Sequence, residues 1–172
     1  MEGPLVTDRE PLNVLFLCTH NSARSILAEA ALNHVGKGRW RAFSAGSNPR
    51  ANQQPHPLAL AVLQESGIAT EGLRSKSWDE FAGASAPRMD LVITVCDNAA
   101  GEVCPIWPGH PATAHWGYAD PSAIEGTDGQ RRAAFRSTLQ AIVERARMLA
   151  ELAPDRLDPQ RLQQTVRGLA GK

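Results

Sequence analysis

Apolar residues along this chain fall into two kinds of pattern. Short apolar, strand-favouring runs occupy residues 14–17, 40–44 and 90–95, with a weaker one at 113–116. Between them, apolar residues recur at helical spacing. Ala28, Ala31, Leu32 and Val35 form a stripe that predicts a helix over 25–35, stopped by Gly36. A second helix is predicted to begin at Pro57, with Leu60 and Leu63 facing inward and Gly67 ending it. Ser77-Trp78-Asp79-Glu80 reads as a capping box opening a short helix through Phe81. Thr127-Asp128-Gly129-Gln130 reads as another, starting the longest helix, with Phe135, Leu139, Ile142, Ala146 and Leu149 as its buried stripe. Asp158-Pro159 starts a last helix carrying Leu162, Val166 and Leu169 on one face. Strands alternating with helices predict an α/β fold, an open and mostly parallel sheet with helices on both faces. Ligands of such sheets bind beyond the carboxyl ends of the strands.

Composition narrows the class without choosing a chemistry. A chain of 172 residues, 42% of them hydrophobic, can bury one sizeable core. The predicted domain runs over 12–152, followed by a C-terminal helical extension over 153–172; residues 1–11 read as a loose leader. Eighteen basic residues balance eighteen acidic ones, with no long run of one sign. No nucleic acid or membrane partner is therefore expected, and no apolar stretch approaches the roughly 20 residues of a membrane span. The polar, acidic start is unlike a signal peptide, so the expectation is a cytoplasmic protein. Three cysteines in a reducing compartment point to reactive thiols rather than a structural framework.

The first strand runs into Cys18-Thr19-His20-Asn21-Ser22-Ala23-Arg24-Ser25, after which a helical pattern begins at once. A strand feeding a tight loop that opens a helix aims backbone N–H groups and the positive helix end at one point. That geometry suits a tetrahedral oxyanion, held by the backbone of Thr19, His20, Asn21, Ser22, Ala23 and Arg24. The Arg24 guanidinium adds a forked, permanently charged donor. The same positive field lowers a thiol pKa, so Cys18 is expected to be a thiolate near neutral pH. Cys18 and Arg24 read alone would be an inert core thiol and a surface charge; the strand before and the helix after make them a nucleophile and its anion cradle.

Cys96 follows the third strand, at the same sheet end as Cys18, and Cys104-Pro105 lies eight residues on. In a continuous helix the two would stand about 12 Å apart. A disulfide needs Cα atoms within roughly 4.4–6.8 Å, so they can bond only if the stretch is looped or unwinds. Asp97, Asn98 and Gly101 are poor helix-interior residues, which makes such remodelling easy. The Cys spacing is too wide for a zinc knuckle, which sets aside a metal site with His110 and His115. Asp120-Pro121 reads locally as a turn.

The Cys-x5-Arg-Ser loop after a strand resembles that of the low-molecular-weight protein tyrosine phosphatases and of the arsenate reductases built on the same fold. The likeness covers roughly residues 12–150. It implies a four-stranded sheet, with Asp120 as the general acid that protonates a departing oxygen. Cys96 and Cys104-Pro105 match the further thiols of the arsenate reductase branch, as does the His115-Trp116-Gly117 that precedes Asp120. The resemblance implies reduction of arsenate to arsenite. Cys18 attacks arsenate, Cys96 attacks Cys18, and Cys104 passes the oxidation to a Cys96–Cys104 disulfide. Thioredoxin, or glutathione with glutaredoxin, would serve as external thiol reductant, with no bound cofactor and a monomeric protein. Asn21 would brace the loop and Ser25 would hydrogen-bond the Cys18 thiolate. Some relatives hold a potassium ion beside the loop, and Asn21, Glu29, Ser44 and Asp79 lie at matching positions, although no metal is expected here. The alternative enzyme reading is a phosphatase that leaves Cys96 and Cys104 as spectators. Against it stand Ser122 and Ala123, where phosphatases carry tyrosines, and Ala23, where they commonly hold a second loop cysteine. A third reading is a non-catalytic anion-binding or redox-sensing module.

Overall fold

The computed structural model describes residues 11–36, 38–83, 85–95, 111–152 and 159–169. Four strands, β1 (Leu12–Cys18), β2 (Trp40–Gly46), β3 (Leu91–Thr94) and β4 (Ala112–His115), form one parallel sheet in the order β2-β1-β3-β4. Among the described residues four α-helices, α1 (Arg24–Val35), α2 (Pro57–Glu65), α3 (Asp128–Glu151) and α4 (Pro159–Leu169), accompany it. The open parallel sheet predicted from the alternating pattern is therefore the fold. β1 pairs with β2 on one side and β3 on the other, so the strand order reverses beside it. That is where such sheets open a ligand crevice.

β1 is buried along nearly its whole length, which explains its uninterrupted apolar run. Its side chains alternate between faces, as the pleat requires. Leu12, Val14, Phe16 and Cys18 join the larger core, to which all four α-helices contribute. Leu15 and Leu17 join a smaller cluster with Phe81, Met89 and Val92, covered among the described residues by a 3-10 helix, Trp78–Phe81. On α3 the predicted stripe of Phe135, Leu139, Ile142, Ala146 and Leu149 is buried, and the Thr127–Gln130 capping box forms in both directions.

Two local expectations are corrected. The inward face of α2 is Ala59, Val62 and Leu63 rather than Leu60, because the helix packs on both α3 and α1. Ser77 caps the 3-10 helix through the N–H of Asp79, but the Glu80 carboxylate goes to Arg74 at 2.6 and 3.0 Å. A forked charged donor outbids a backbone amide for that carboxylate, so no capping box closes there.

The last helix is docked to the sheet. Leu162, Val166 and Leu169 are buried in the main core, and Trp116 Nε1 donates to the Val166 carbonyl at 3.2 Å. Gln163 Oε1 accepts from the Thr113 N–H, and Arg167 Nε donates to the Thr113 carbonyl. These contacts satisfy one residue of the outer β4 edge that would otherwise offer itself to another strand.

Candidate active site

Everything around residue 18 follows from a strand that ends beside a helix start. β1 delivers Cys18 buried, and α1 begins only six residues later, at Arg24. The intervening loop turns tightly because Asn21 adopts φ +57°, a left-handed geometry that Asn tolerates better than most residues. Its carbonyls are tied to neighbouring segments. Those of Cys18 and Thr19 accept from the Ser47 and Asn48 N–H groups, and that of Ser22 from the His56 N–H. The Asn21 carbonyl takes the Ser75 hydroxyl at 2.6 Å. C=O and N–H of a trans peptide point opposite ways, so tying the carbonyls outward turns amides toward the concave side. Ala23, at the N-cap of α1, supplies no side-chain acceptor, which leaves first-turn N–H groups for an anion.

Gly46, the last residue of β2, is what lets the loop lie there. A Cβ at this position would stand 2.6 Å from the Thr19 carbonyl oxygen, 2.9 Å from the His20 carbonyl carbon and 3.0 Å from the Asn21 nitrogen. Only glycine permits this approach of two backbones.

The thiol sits in a chain of hydrogen bonds. Cys18 Sγ is 2.8 Å from Ser25 Oγ and receives the Asn21 N–H at 3.3 Å. Asn21 Nδ2 donates to Ser25 Oγ at 2.8 Å and to Ser44 Oγ at 3.0 Å. The Ser44 hydroxyl in turn donates to Glu29 Oε1. Asn21, Ser25 and Ser44 are fully buried. Asn21 and Ser25 thus both lie within hydrogen-bond distance of the Cys18 sulfur.

Arg24, the first residue of α1, reaches the segment beyond β4. Nη1 donates to the Tyr118 carbonyl at 2.9 Å, and Nη2 is 3.7 Å from Asp120 Oδ2. Asp120 Oδ1 also accepts from the Ser122 N–H and hydroxyl, at 2.9 and 2.7 Å. That local turn leaves Oδ2 toward the arginine, so two residues 96 positions apart in the chain share the site. His20 is half-buried on the loop. Cys96 and Cys104, the two further predicted thiols, lie outside the described residues. The residue before them, Val95, is buried and donates its N–H to the Leu17 carbonyl beside Cys18.

The loop reading did not include Gly46, Lys76 or His56. Gly46 follows Ser44-Ala45, a run of small residues ending a strand beside β1, and that was the available signal. Lys76 carries no local mark, yet its N–H donates to Asn21 Oδ1 at 2.9 Å and its carbonyl accepts the Gly46 N–H at 2.8 Å. His56 caps α2 through Nδ1, lies against Phe135 and lines a cavity of about 400 Å³ with Ser22, Arg50 and Gln53. Burial first, and Arg131 second, lower its pKa below the ordinary histidine value, with Asp120 opposing.

The parallel sheet and its strand-loop-helix oxyanion cradle define a class, and residues 13–165 match the family model described as low molecular weight phosphotyrosine protein phosphatase; the chain belongs to that family. Within it, the chain is similar to an arsenate reductase of Bacillus licheniformis, 37% identical over 139 residues that cover 80% of this chain and 94% of the relative. The crystal structure of an arsenate reductase from Archaeoglobus fulgidus superposes with a TM-score of 0.62 at 28% identity, covering 81% of this chain and 99% of the other. A thioredoxin-dependent arsenate reductase of Corynebacterium glutamicum gives a TM-score of 0.58 at 29% identity, over 83% of this chain and 61% of that one.

Proposed function

We propose that this protein reduces arsenate to arsenite. The observation that carries the proposal is the Cys18 sulfur, bracketed by the Ser25 hydroxyl and the Asn21 N–H on a loop whose closing residue, Arg24, stands 3.7 Å from Asp120. The Cys18 thiolate attacks the arsenic atom, and one arsenate oxygen departs as water after Asp120 and the solvent supply its protons. The product is a Cys18–arsenic(V) adduct held by the loop amides and Arg24. Cys96 then attacks the Cys18 sulfur. The sulfur–arsenic bond breaks with its electron pair going to arsenic, so arsenite leaves as arsenic(III) and a Cys18–Cys96 disulfide remains. Cys104 attacks Cys96 and releases the Cys18 thiolate, giving a Cys96–Cys104 disulfide. An external dithiol system, thioredoxin or glutaredoxin, reduces that bond and completes the two-electron balance.

The similarity to curated arsenate reductases supports the substrate, and the three-cysteine complement supports the relay. The same loop would accept phosphate, which has nearly the same shape, so weak phosphatase activity fits both readings. The deciding experiment is a single arsenate turnover without reductant, followed by mapping of the joined cysteines. A Cys96–Cys104 disulfide with one equivalent of arsenite is the expected result. Full multiple-turnover activity in Cys96→Ser would overturn the relay. Strong hydrolysis of an aryl phosphate, with no arsenate-dependent loss of thiols, would make the protein a phosphatase.

A further inference from the structure

A potassium ion beside the loop, implied by the resemblance to some relatives, requires oxygen atoms gathered around a vacancy of cation size. The structure brings Asn21, Ser44 and Glu29 together, but it also brings an ammonium. Lys76 Nζ lies 3.9 Å from Glu29 Oε1, with the two side chains only 7% and 15% exposed. Nζ also donates to the Arg74 carbonyl at 2.8 Å. Asp79, the fourth matching residue, is exposed on the 3-10 helix, with its N–H on Ser77 Oγ. A buried positive charge already attached to the chain and a buried metal cation compete for one carboxylate. The donor set therefore does not fit a potassium site.

We infer that the Lys76 ammonium is a built-in counterion of the nucleophile loop, a positioning residue that offsets the charge of the buried Glu29 carboxylate and so anchors the Ser44–Asn21–Ser25 hydrogen bonds that end on Cys18. Hydrogen counting supplies the argument. An ionised Glu29 can only accept, so the Ser44 hydroxyl must donate to it. Ser44 Oγ then accepts from Asn21 Nδ2, in the amide orientation that the Lys76 N–H, an obligatory donor to Oδ1, independently requires. The second amide hydrogen goes to Ser25 Oγ. Ser25 Oγ accepts there, which leaves its own hydrogen for Cys18 Sγ, and a hydrogen bond in that direction favours a thiolate over a thiol. A neutral Glu29 could donate to Ser44 instead, and Ser44 would lose the carboxylate that anchors it beneath Asn21. Burial raises the Glu29 carboxyl pKa overall, against the opposing Ser44 hydrogen bond, Lys76 and Arg74, and the same burial lowers the Lys76 pKa, with Glu29 opposing, so each charge of the pair depends on the other. A water-filled site in place of the lysine would leave the carboxylate buried without its nearest counter-charge.

Residue 76 thus acts twice, through its backbone on Asn21 and through its side chain on Glu29, and a side-chain substitution separates the two. The inference rests on Cys18 as the nucleophile but not on arsenate as the substrate. Its test therefore reads the rate at which iodoacetamide alkylates Cys18 in the full chain at pH 7, followed by mass spectrometry of the Cys18 peptide. Lys76→Ala is expected to slow that alkylation about tenfold, the scale on which small misplacements act. About 100 mM potassium or ammonium chloride should restore it to within about twofold, whereas tetramethylammonium chloride at equal ionic strength should not. Lys76→Met, which fills the space without charge, should be equally slow and not restored, and the natural protein should ignore potassium. A Lys76→Ala protein that alkylates like the natural one, or that stays slow in every small cation while circular dichroism shows it folded, would overturn the inference. So would stimulation of the natural protein by potassium. Should Lys76→Ala be too unstable to alkylate cleanly, its melting temperature gives the same answer. A higher value in potassium than in tetramethylammonium supports the inference, and equal values refute it.

Discussion

Gly46→Ala puts one methyl group where the structure has backbone. The added Cβ would lie 2.6 Å from the Thr19 carbonyl oxygen, and ordinary contact begins at 3.4 Å. Relief needs about 0.8 Å of movement, and every close neighbour is main chain, so no side chain can swing away to provide it. Moving β2 would break its seven-residue register with β1. The loop is the softer partner, so the displacement falls on Thr19, His20 and Asn21. Overpacking of this kind destabilises by about 1–3 kcal/mol. For a chain of this size that lowers the melting temperature by roughly 2–4 °C per kcal/mol. The larger effect is on chemistry, because shifting an anion cradle by most of an ångström lowers kcat/KM by up to about 100-fold. Arsenite production with excess thiol reductant, read beside Cys18 alkylation and a thermal melt, separates the two effects. Activity within about threefold of the natural protein, at any melting temperature, would show that the loop does not depend on this close approach.

Three further outcomes are expected. Asp120→Asn, which keeps the turn acceptor for Ser122 but removes the transferable proton, should lower arsenate turnover by about 10²–10⁴-fold while leaving Cys18 alkylation close to normal; unchanged turnover would remove Asp120 from the mechanism. The lowered pKa of His56 means that the unfolded chain takes up its proton first as pH falls. Stability from this residue is present above the ordinary histidine value of about 6.5 and declines as acid titrates the unfolded side chain. His56→Asn, which retains an N-cap acceptor, should therefore flatten the fall in melting temperature between pH 7.5 and 5.5, and an unchanged slope would refute the assignment. Thr127→Ala removes one arm of the closed capping box on α3 and should cost about 1 kcal/mol in urea melts; no measurable loss would mean that the first turn contributes nothing to global stability.

The parts of this structure that could be read from sequence are those written in consecutive residues. The Cys18–Ser25 loop, the fully buried β1 and the α3 stripe each depend on spacing within one segment, and spacing is what a sequence displays. Leu60 was misplaced because two facing helices, rather than one, decide which side of α2 turns inward. The Ser77–Glu80 pattern named a local bond that Arg74, six residues before Glu80, takes instead. Gly46 and Lys76 were missed for a related reason. Gly46 meets Thr19, His20 and Asn21 only through the parallel pairing of β1 with β2, and Lys76 meets Asn21 and Glu29 only because its segment runs beside Gly46.

That division has a chemical consequence. The loop sequence alone supplies a thiol, amides and a guanidinium, the parts that would touch an oxyanion on the proposed reading. Their orientation comes from elsewhere. Ser47, Asn48, His56 and Ser75 tie the loop carbonyls, Ser44 and the Lys76 N–H hold the Asn21 amide, Glu29 accepts from Ser44, and Asp120 reaches Arg24 from beyond β4. Within a family sharing one cradle, the differences in reactivity should therefore sit in these remote partners rather than in the cradle. Position 76 is where this chain has placed an ammonium, and exchanging that side chain should alter Cys18 while leaving every residue from 18 to 25 in place.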